Sequence, residues 1–491
     1  MTSIAEPLDR IYEAPAGPEV LACFDYDGTL IGGYSATVFY EHRMRSFDIG
    51  PIELTRTLLM GARGIRTEGD FESLLELSLA AWKGKTEDEV EGLGTKLFKS
   101  AIAARLHREA WELLQAHREM GHTLVLASSA TRFQVTPMAR ELGIDHVLCT
   151  AVEVRDGRLT GHADGRPVWG EGKADALAAL AQEHGIDLEQ SFAYSNGEED
   201  EPMLRSVGHP VAVEPTAKLR AVAERNGWPV VRCAPRGGRP GLLQMARTGG
   251  FFGALGGGMA IGAGVSLLTG SRRPIVDVTS LVGADVALAV AGVRVDVLEG
   301  VDYLWSARPC VFLFNHQSNI DPIVVMKLLG QGFTAVGKAE AKKIPFFGPM
   351  FQLAGVAFID RADKEKALAA LAPAVEKIKH DRLSLMIAPE GTRSRTPQLG
   401  PFKKGPFHIA MQAGVPVVPI VLNGAGEVLR KGDQTIRSGV VEVVVLPPVE
   451  TDSWRRETMG EHVQEVRDQY VRTLADWPTR PARPRALEPG R

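Results

Sequence analysis

Cysteine is scarce in this chain: Cys23, Cys149, Cys233 and Cys310 are the only four. They stand far apart, and no CxxC or Cys/His zinc spacing occurs, which excludes a disulfide scaffold and a zinc finger. Three of them lie in or beside apolar, strand-like runs and read as reduced core thiols of a cytosolic protein. A surplus of one charge sign is also missing. Lys and Arg number 56 against 60 Asp and Glu, for a formal net charge of −4. That balance speaks against nucleic-acid binding, which shows a clear basic excess. Met1 to Gly17 has acidic residues and no apolar block, so it does not read as a secretory signal.

What is present is enough chain for two or three domains, 491 residues with 44% hydrophobic and 24% charged. Val20-Leu-Ala-Cys-Phe24 reads as a buried strand. From Tyr34 to about Met120 the pattern is helical; Phe71, Leu74, Leu75, Leu77, Ser78 and Trp82 read as one apolar face. Thr123 to Ala127 is a second buried strand, and short strands and helices then alternate to about Val231. That alternation predicts an α/β fold with a doubly wound, Rossmann-like parallel sheet, and the helical insert (about 34–118) is a cap. Ala234 to Gly250 is a Gly/Pro/Arg linker, and Phe251 to Leu268 carries no charge and includes a GxxxG spacing. A second apolar piece, Leu281 to Val293, is interrupted by Asp285. Strands and helices return after that and predict a second α/β domain. The expected layout is 18–233, 234–293, 294–477 and a disordered Pro/Arg-rich tail from 478.

Asp25-Tyr-Asp27-Gly28-Thr29 follows the first strand directly. Phosphoryl transfer needs a nucleophile, a metal and a cation at the phosphate oxygens. Asp25 suits the nucleophile and Asp27 the general acid/base, and carboxylates this close favour a hard cation such as Mg²⁺. Ser128, just past the second strand, offers a hydroxyl to phosphate. Lys173, at a helix start, reaches a phosphate oxygen. Ser195-Asn196-Gly-Glu-Glu-Asp200 follows another strand and faces the metal, so the expected ligands are Asp25, Asp27, Asn196 and Asp200. In order and spacing these motifs resemble the haloacid dehalogenase superfamily, in its phosphoserine-phosphatase-like branch, over residues 18–233. The resemblance implies hydrolysis of a phosphomonoester of the phosphoserine type through an aspartyl-phosphate. One position departs: the family's fourth motif opens with Gly-Asp, and Ser195-Asn196 stands there, so the metal should bind more weakly.

Asn315-His316-Gln-Ser-Asn-Ile-Asp321 follows another apolar run. Acyl transfer needs a base and a group that orients it. His316 suits the base and Asp321 its partner. A five-residue offset on a regular helix turns them about 140° apart, so His316 is expected in the loop before the helix, with Pro322 in the first turn. Three further blocks follow: Gly355 to Arg361, Pro389-Glu390-Gly391-Thr392-Arg393-Ser394, and Val415 to Ile420. Together they resemble the glycerolipid acyltransferases, specifically the lysophosphatidate acyltransferases. The resemblance implies acylation of 1-acyl-sn-glycerol 3-phosphate from acyl-CoA or acyl carrier protein. It places Arg361 and Arg393 on the acceptor phosphate, with Glu390, Gly391 and Thr392 forming that pocket. The alternative reading is another acceptor, glycerol 3-phosphate or a glycolipid, with the first domain a non-catalytic phosphometabolite-binding module.

A lysophospholipid must be taken from a bilayer, and both sites need the cytosolic pool of substrates. A single crossing would separate them. The two apolar pieces are therefore expected to lie as a monotopic hairpin on the cytoplasmic face of the membrane. The expected partners are lysophospholipid, acyl thioester (with acyl carrier protein as one donor) and the membrane surface, and no nucleic acid.

Overall fold

The computed structural model describes residues 4–50, 53, 55, 57, 67–234, 241–338, 357–359, 372–430 and 433–478. Arg361 and the tail beyond Pro478 lie outside them. The chain divides into two compact units, Met1–Gly238 and Arg239–Arg483.

The first unit is built on eight strands: β1 (Leu21–Asp25), β2 (Thr123–Thr131), β3 (His146–Thr150), β4 (Val152–Arg155), β5 (Arg158–Ala163), β6 (Phe192–Ser195), β7 (His209–Val213) and β8 (Val230–Val231). Six of them form one parallel sheet in the order β3-β2-β1-β6-β7-β8. The apolar runs Leu21–Phe24 and Leu124–Ala127 are buried throughout, as strands covered on both faces require. Strand order reverses between β1 and β6, so their carboxyl ends open the crevice where such sheets bind ligands. Phe24 and Tyr194 stack there with ring centroids 4.4 Å apart.

The insert after β1 is helical, with Ser35–Arg45, Glu68–Ala80 and Glu87–Leu97. Thr67 with Asp70, and Thr86 with Glu89, form capping boxes that fix where the last two begin. The helix Arg108–Glu119, expected in the cap, instead packs on β2 and on the helix Ala5–Glu13. Its buried face, Ala110, Leu113, Leu114 and His117, belongs to the sheet layer. β4 and β5 form a separate antiparallel hairpin, where the sequence pattern indicated a plain alternation with helices.

The second unit begins with a helix, Leu242–Thr269, that starts inside the expected linker. No proline stops it after Gly241. A second helical run, Arg273 to Ala291, turns back along it and ends at Gly292, where β9 (Val293–Glu299) begins. A Cβ on Gly258 would fall 2.8 Å from Gly283 Cα, and one on Gly262 would fall 2.6 Å from the Pro274 carbonyl. The GxxxG spacing therefore lets two helices approach backbone to backbone.

The remaining strands are β10 (Val311–Phe314), β11 (Phe333–Lys338), β12 (Ala357–Ile359), β13 (Ser384–Ile387), β14 (Val417–Asn423) and β15 (Gly439–Val445). With β9 they make a seven-stranded sheet in the order β12-β11-β13-β10-β14-β15-β9. All neighbouring pairs are parallel except β14 with β15. Both faces are covered. The apolar helix Asp321–Leu329 lies in the cluster on one face, and the helix Met459–Ala475 in the cluster on the other. The Tyr470 hydroxyl donates to the Leu313 carbonyl at 2.7 Å, tying that helix to the central strand β10.

Candidate active sites

Asp25 ends β1 and is 6% exposed. Its Oδ2 accepts from the Thr29 hydroxyl at 2.9 Å, and its Oδ1 lies 2.8 Å from Lys173 Nζ. Lys173 opens the helix Glu171–His184 and is itself buried. The same ammonium reaches Asp200 Oδ2 at 2.7 Å, and the Ser195 hydroxyl donates to that oxygen at 2.6 Å. The sequence places Lys173 on a phosphate oxygen; here it bridges two buried carboxylates. Ser128, also buried, lies one residue beyond Ala127, the β2 neighbour of Asp25, and its hydroxyl oxygen accepts from the Ala130 amide at 3.1 Å.

Asp27 turns away from this pair. Its Oδ1 accepts from the Ser35 amide at 2.7 Å, and its Oδ2 from the Ser35 hydroxyl at 3.0 Å. Ser35 is the first residue of the insert's opening helix. Gln134 Nε2 donates to the Ser35 oxygen at 3.3 Å and braces it. Gly28 has φ +87°, and a Cβ there would collide with the Asn196 amide, so the turn admits only glycine without strain.

Negative charge exceeds positive charge in this crevice. Burial raises the Asp25 carboxyl above its usual range, against the opposing pull of Lys173. Burial pushes Asp27 up to about 7 and, with Asp200 adding repulsion, Glu199 up to about 7. The neighbouring Glu198 faces elsewhere, onto Thr216 and Lys218. Of the adjacent pair Glu198-Glu199, only Glu199 stands in the field of Asp25, Lys173 and Asp200, and nothing in the spacing separates the two. Asp200 Oδ1 is buried with no hydrogen-bond partner among the described residues. Asn196 Oδ1 lies 3.3 Å from the Thr29 hydroxyl. An all-oxygen donor set with an orphaned carboxylate oxygen fits a hard cation of the Mg²⁺ type.

The second constellation follows β10. Asn315 locks the strand end, donating to the Leu422 carbonyl at 2.9 Å and accepting its amide at 2.7 Å. His316 comes next, in a loop, and Asp321 opens the helix with Pro322 behind it. His316 Nδ1 lies 2.9 Å from Asp321 Oδ2, which also accepts the amides of Gln317 and Ser318 at 2.7 Å each. Asp321 is wholly buried, and the His316 side chain is 20% exposed. The carboxylate holds the Nδ1–H tautomer, which leaves Nε2 its lone pair.

The loop after β13 closes over this pair. Glu390 Oε1 accepts the His316 amide at 2.7 Å, while Oε2 accepts the Ser394 hydroxyl at 2.5 Å and the Gly400 amide at 3.1 Å. The Ser394 amide donates to the His316 carbonyl at 2.7 Å. Burial raises the Glu390 carboxyl, and these donors oppose the rise. Both its oxygens accept from protein donors, so it holds together the loops on either side of His316. Gly391 turns the chain at φ +69°, and Thr392 is exposed. The half-buried Arg393 is lowered by its burial and raised by the Asp321 charge, which places its guanidinium in the field of the His316–Asp321 pair.

A model of the haloacid dehalogenase-like hydrolases matches residues 22–205, and one of the acyltransferases matches residues 296–423. The Mycobacterium tuberculosis phosphoserine phosphatase SerB1 is 31% identical over 252 residues, covering 50% of this chain and 82% of that protein. The Salmonella typhimurium 1-acyl-sn-glycerol-3-phosphate acyltransferase is 34% identical over 167 residues, covering 33% of this chain and 67% of its own. The chain belongs to both families. Its first unit is a haloacid dehalogenase-like hydrolase and its second an acyltransferase. The Saccharomyces cerevisiae 1-acyl-sn-glycerol-3-phosphate acyltransferase is 34% identical over 171 residues, and this chain spans only 56% of its length. The hydrolase match spans the Asp25, Lys173 and Asp200 cluster, and the acyltransferase match spans the His316–Asp321 pair and the loop that clamps it.

Proposed function

We propose that the chain is a bifunctional enzyme of phospholipid synthesis. Its second unit acylates the free hydroxyl of 1-acyl-sn-glycerol 3-phosphate, the acceptor in the names of its acyltransferase relatives. The observation that carries this reading is the His316–Asp321 contact at 2.9 Å, which leaves His316 Nε2 to act as base. The acceptor hydroxyl gives its proton to Nε2 as its oxygen attacks the thioester carbonyl. The C–S bond then breaks, and the thiol of the donor, acyl-CoA or acyl carrier protein, leaves with that proton. Asp321 stabilises the transient imidazolium. Arg393, with Arg361, binds the acceptor phosphate, where a guanidinium fork suits phosphate oxygens.

The first unit hydrolyses a phosphomonoester, of the phosphoserine type on the name of its mycobacterial relative. Asp25 attacks phosphorus, the ester oxygen leaves with a proton from Asp27, and water then cleaves the aspartyl-phosphate. An Asp27 carboxyl pushed up to about 7 holds its proton close to neutrality, as the acid role requires. Ser128 and Lys173 bind phosphate oxygens. Mg²⁺, held by Asp25, Asn196, Asp200 and the Asp27 backbone carbonyl, would neutralise phosphate charge during transfer.

Asn196 favours a second reading of this unit, since an amide oxygen brings no charge to the metal. On that reading the unit binds a phosphometabolite and regulates acyl transfer.

The helical hairpin is read as a monotopic anchor on the cytoplasmic face of the membrane. Its two limbs, Leu242–Thr269 and Arg273–Ala291, are long and apolar enough to cross a bilayer. Leu267 and Leu268, beside the turn, are 87% and 89% exposed.

Purified protein given labelled lysophosphatidate and acyl-CoA should form phosphatidic acid, and His316→Ala should abolish it. Retained thioester-dependent activity in that variant would remove the assignment. Phosphomonoester turnover with Mg²⁺ should be lost in Asp25→Asn. Wild type no faster than that variant across many phosphomonoesters would favour the binding-module reading.

A further inference from the structure

Three side chains that serve neither site converge where the first unit's chain leaves its last strand. His107, Glu109 and Cys233 bring an imidazole nitrogen, a carboxylate oxygen and a thiol sulfur within 4.8 Å of one another. Two come from the start of the helix Arg108–Glu119, and the third follows β8. Their backbones are pinned independently of this meeting. The His107 amide donates to the Leu30 carbonyl at 2.9 Å, and the Cys233 amide to Glu214 Oε1 at 2.5 Å. Glu109 Oε1 accepts the Ala234 amide at 2.8 Å. Its other oxygen, Oε2, is buried and has no hydrogen-bond partner among the described residues. A buried carboxylate oxygen is costly to leave so, and here it shares its surroundings with a thiol and a histidine that is 5% exposed.

The donor types select the ligand. Mg²⁺ takes oxygen, whereas a nitrogen, oxygen and sulfur set suits a borderline ion. We propose that His107, Glu109 and Cys233 bind a divalent transition ion of the Zn²⁺ class, with water in the fourth position. Bond lengths of about 2.0–2.3 Å draw the three donors closer together than they stand without the ion. As the metal–sulfur bond forms, the Cys233 S–H bond breaks and its proton passes to solvent. Thiolate and carboxylate then balance the two charges of the ion, with His107 neutral. No spacing in the sequence signals this site, because its two halves lie far apart in the chain, at His107–Glu109 and at Cys233.

The ion has a mechanical role. Residues just before His107 pair with the loop that follows Asp25: Ile31 bridges to Leu106, and the Gly32 amide donates to the Arg105 carbonyl at 2.8 Å. A metal at His107 and Cys233 therefore fastens the exit of the unit's chain to the loop that carries Asp25 and Asp27.

Cobalt titration of the metal-stripped full-length protein tests the site, because a thiolate ligand gives a sulfur-to-cobalt charge-transfer band that carboxylates cannot. One equivalent of Co²⁺ should develop that band. Zn²⁺ should bleach it, and a large excess of Mg²⁺ should not. Cys149→Ser should keep the band, and Cys233→Ser and His107→Gln should lose it. Absence of the band in wild type, or its survival in Cys233→Ser, would overturn the proposal. Alkylation of the wild-type protein, mapped by peptide mass spectrometry, covers the case of a variant that fails to fold. One equivalent of Zn²⁺ should slow iodoacetamide labelling of Cys233 at least tenfold, and an unchanged rate would equally overturn the site.

Discussion

The Glu390 carboxylate accepts the backbone amide of His316 at 2.7 Å. Its remaining oxygen holds the Ser394 hydroxyl and the Gly400 amide, so one side chain sets the distance between the base and the loop beside it. In Glu390→Gln an N–H must face an N–H at one of these contacts, which leaves a buried donor unsatisfied at a cost of about 1–3 kcal/mol. We expect kcat for acyl transfer to fall by about 10²-fold, as a displaced base implies, with the KM for lysophosphatidate nearly unchanged. Steady-state kinetics with varied acceptor decides this. A raised KM at wild-type kcat would put Glu390 in the acceptor pocket.

Lys173 is 3% exposed and neutralises two buried carboxylates, Asp25 and Asp200. Lys173→Met removes the only cation that contacts either of them among the described residues. We expect a loss of about 3–5 kcal/mol in the stability of the first unit, as for one partner removed from a buried ion pair. Adding Asp25→Asn should recover part of it. Urea unfolding of the two variants measures both effects, and equal stabilities would show that Asp25 does not feel Lys173.

A buried chain of rings predicts a pH response. His122 Nε2 lies 2.9 Å from the Pro15 carbonyl, which can only accept, so His122 carries its proton there. Its Nδ1 then accepts from His117 Nδ1–H at 2.8 Å, and His117 Nε2 accepts the Tyr194 hydroxyl at 2.7 Å. Every partner is satisfied with both rings neutral. Burial first, and His122 second, lowers His117 well below its ordinary 6.5. The unfolded chain takes up that proton below pH 6.5 and the folded one does not, so this contribution is present above 6.5 and lost as pH falls. The carboxyls raised in the crevice act in the opposite direction. The stability gap between wild type and His117→Gln isolates the histidine. It should narrow by about 1.4 kcal/mol per pH unit below 6.5. A gap that holds constant down to pH 5 would mean that His117 titrates normally.

Leu267 and Leu268 stand exposed beside Arg272 and Arg273 at the turn of the hairpin. Replacing both leucines with Glu removes two apolar side chains from any bilayer contact, where each would contribute about 1.5–3 kcal/mol. Binding to anionic vesicles should weaken at least tenfold in a sedimentation assay, and acylation of a soluble short-chain lysophosphatidate should persist. Unchanged vesicle binding would move the membrane contact elsewhere.

The candidate site residues that come together were legible where the contacts between them are local. Asp25 ends an apolar run, and His316 to Asp321 spans one loop and one helix start, so motif and geometry coincide. Positioning was not legible, because it is made by contacts between distant segments. Nothing near residue 390 shows that its carboxylate reaches residue 316, and nothing near 27 shows that it reaches the insert. Strand direction was hidden for a related reason. Val443 to Val445 is a buried apolar run whichever way it points, and β15 pairs antiparallel with β14 after the connection through Ala425–Val428. The start of the first hairpin helix at Leu242 was masked by the glycines and prolines just before it.

Both oxygens of Asp27 rest on Ser35, the residue with which the helical insert begins. On the acid role proposed for Asp27, the Ser35 amide and hydroxyl favour its charged form and so help set how readily it gives up a proton. On that reading the insert tunes the acid of the hydrolysis, and a substrate that displaced its opening helix would change the strength of the acid it meets.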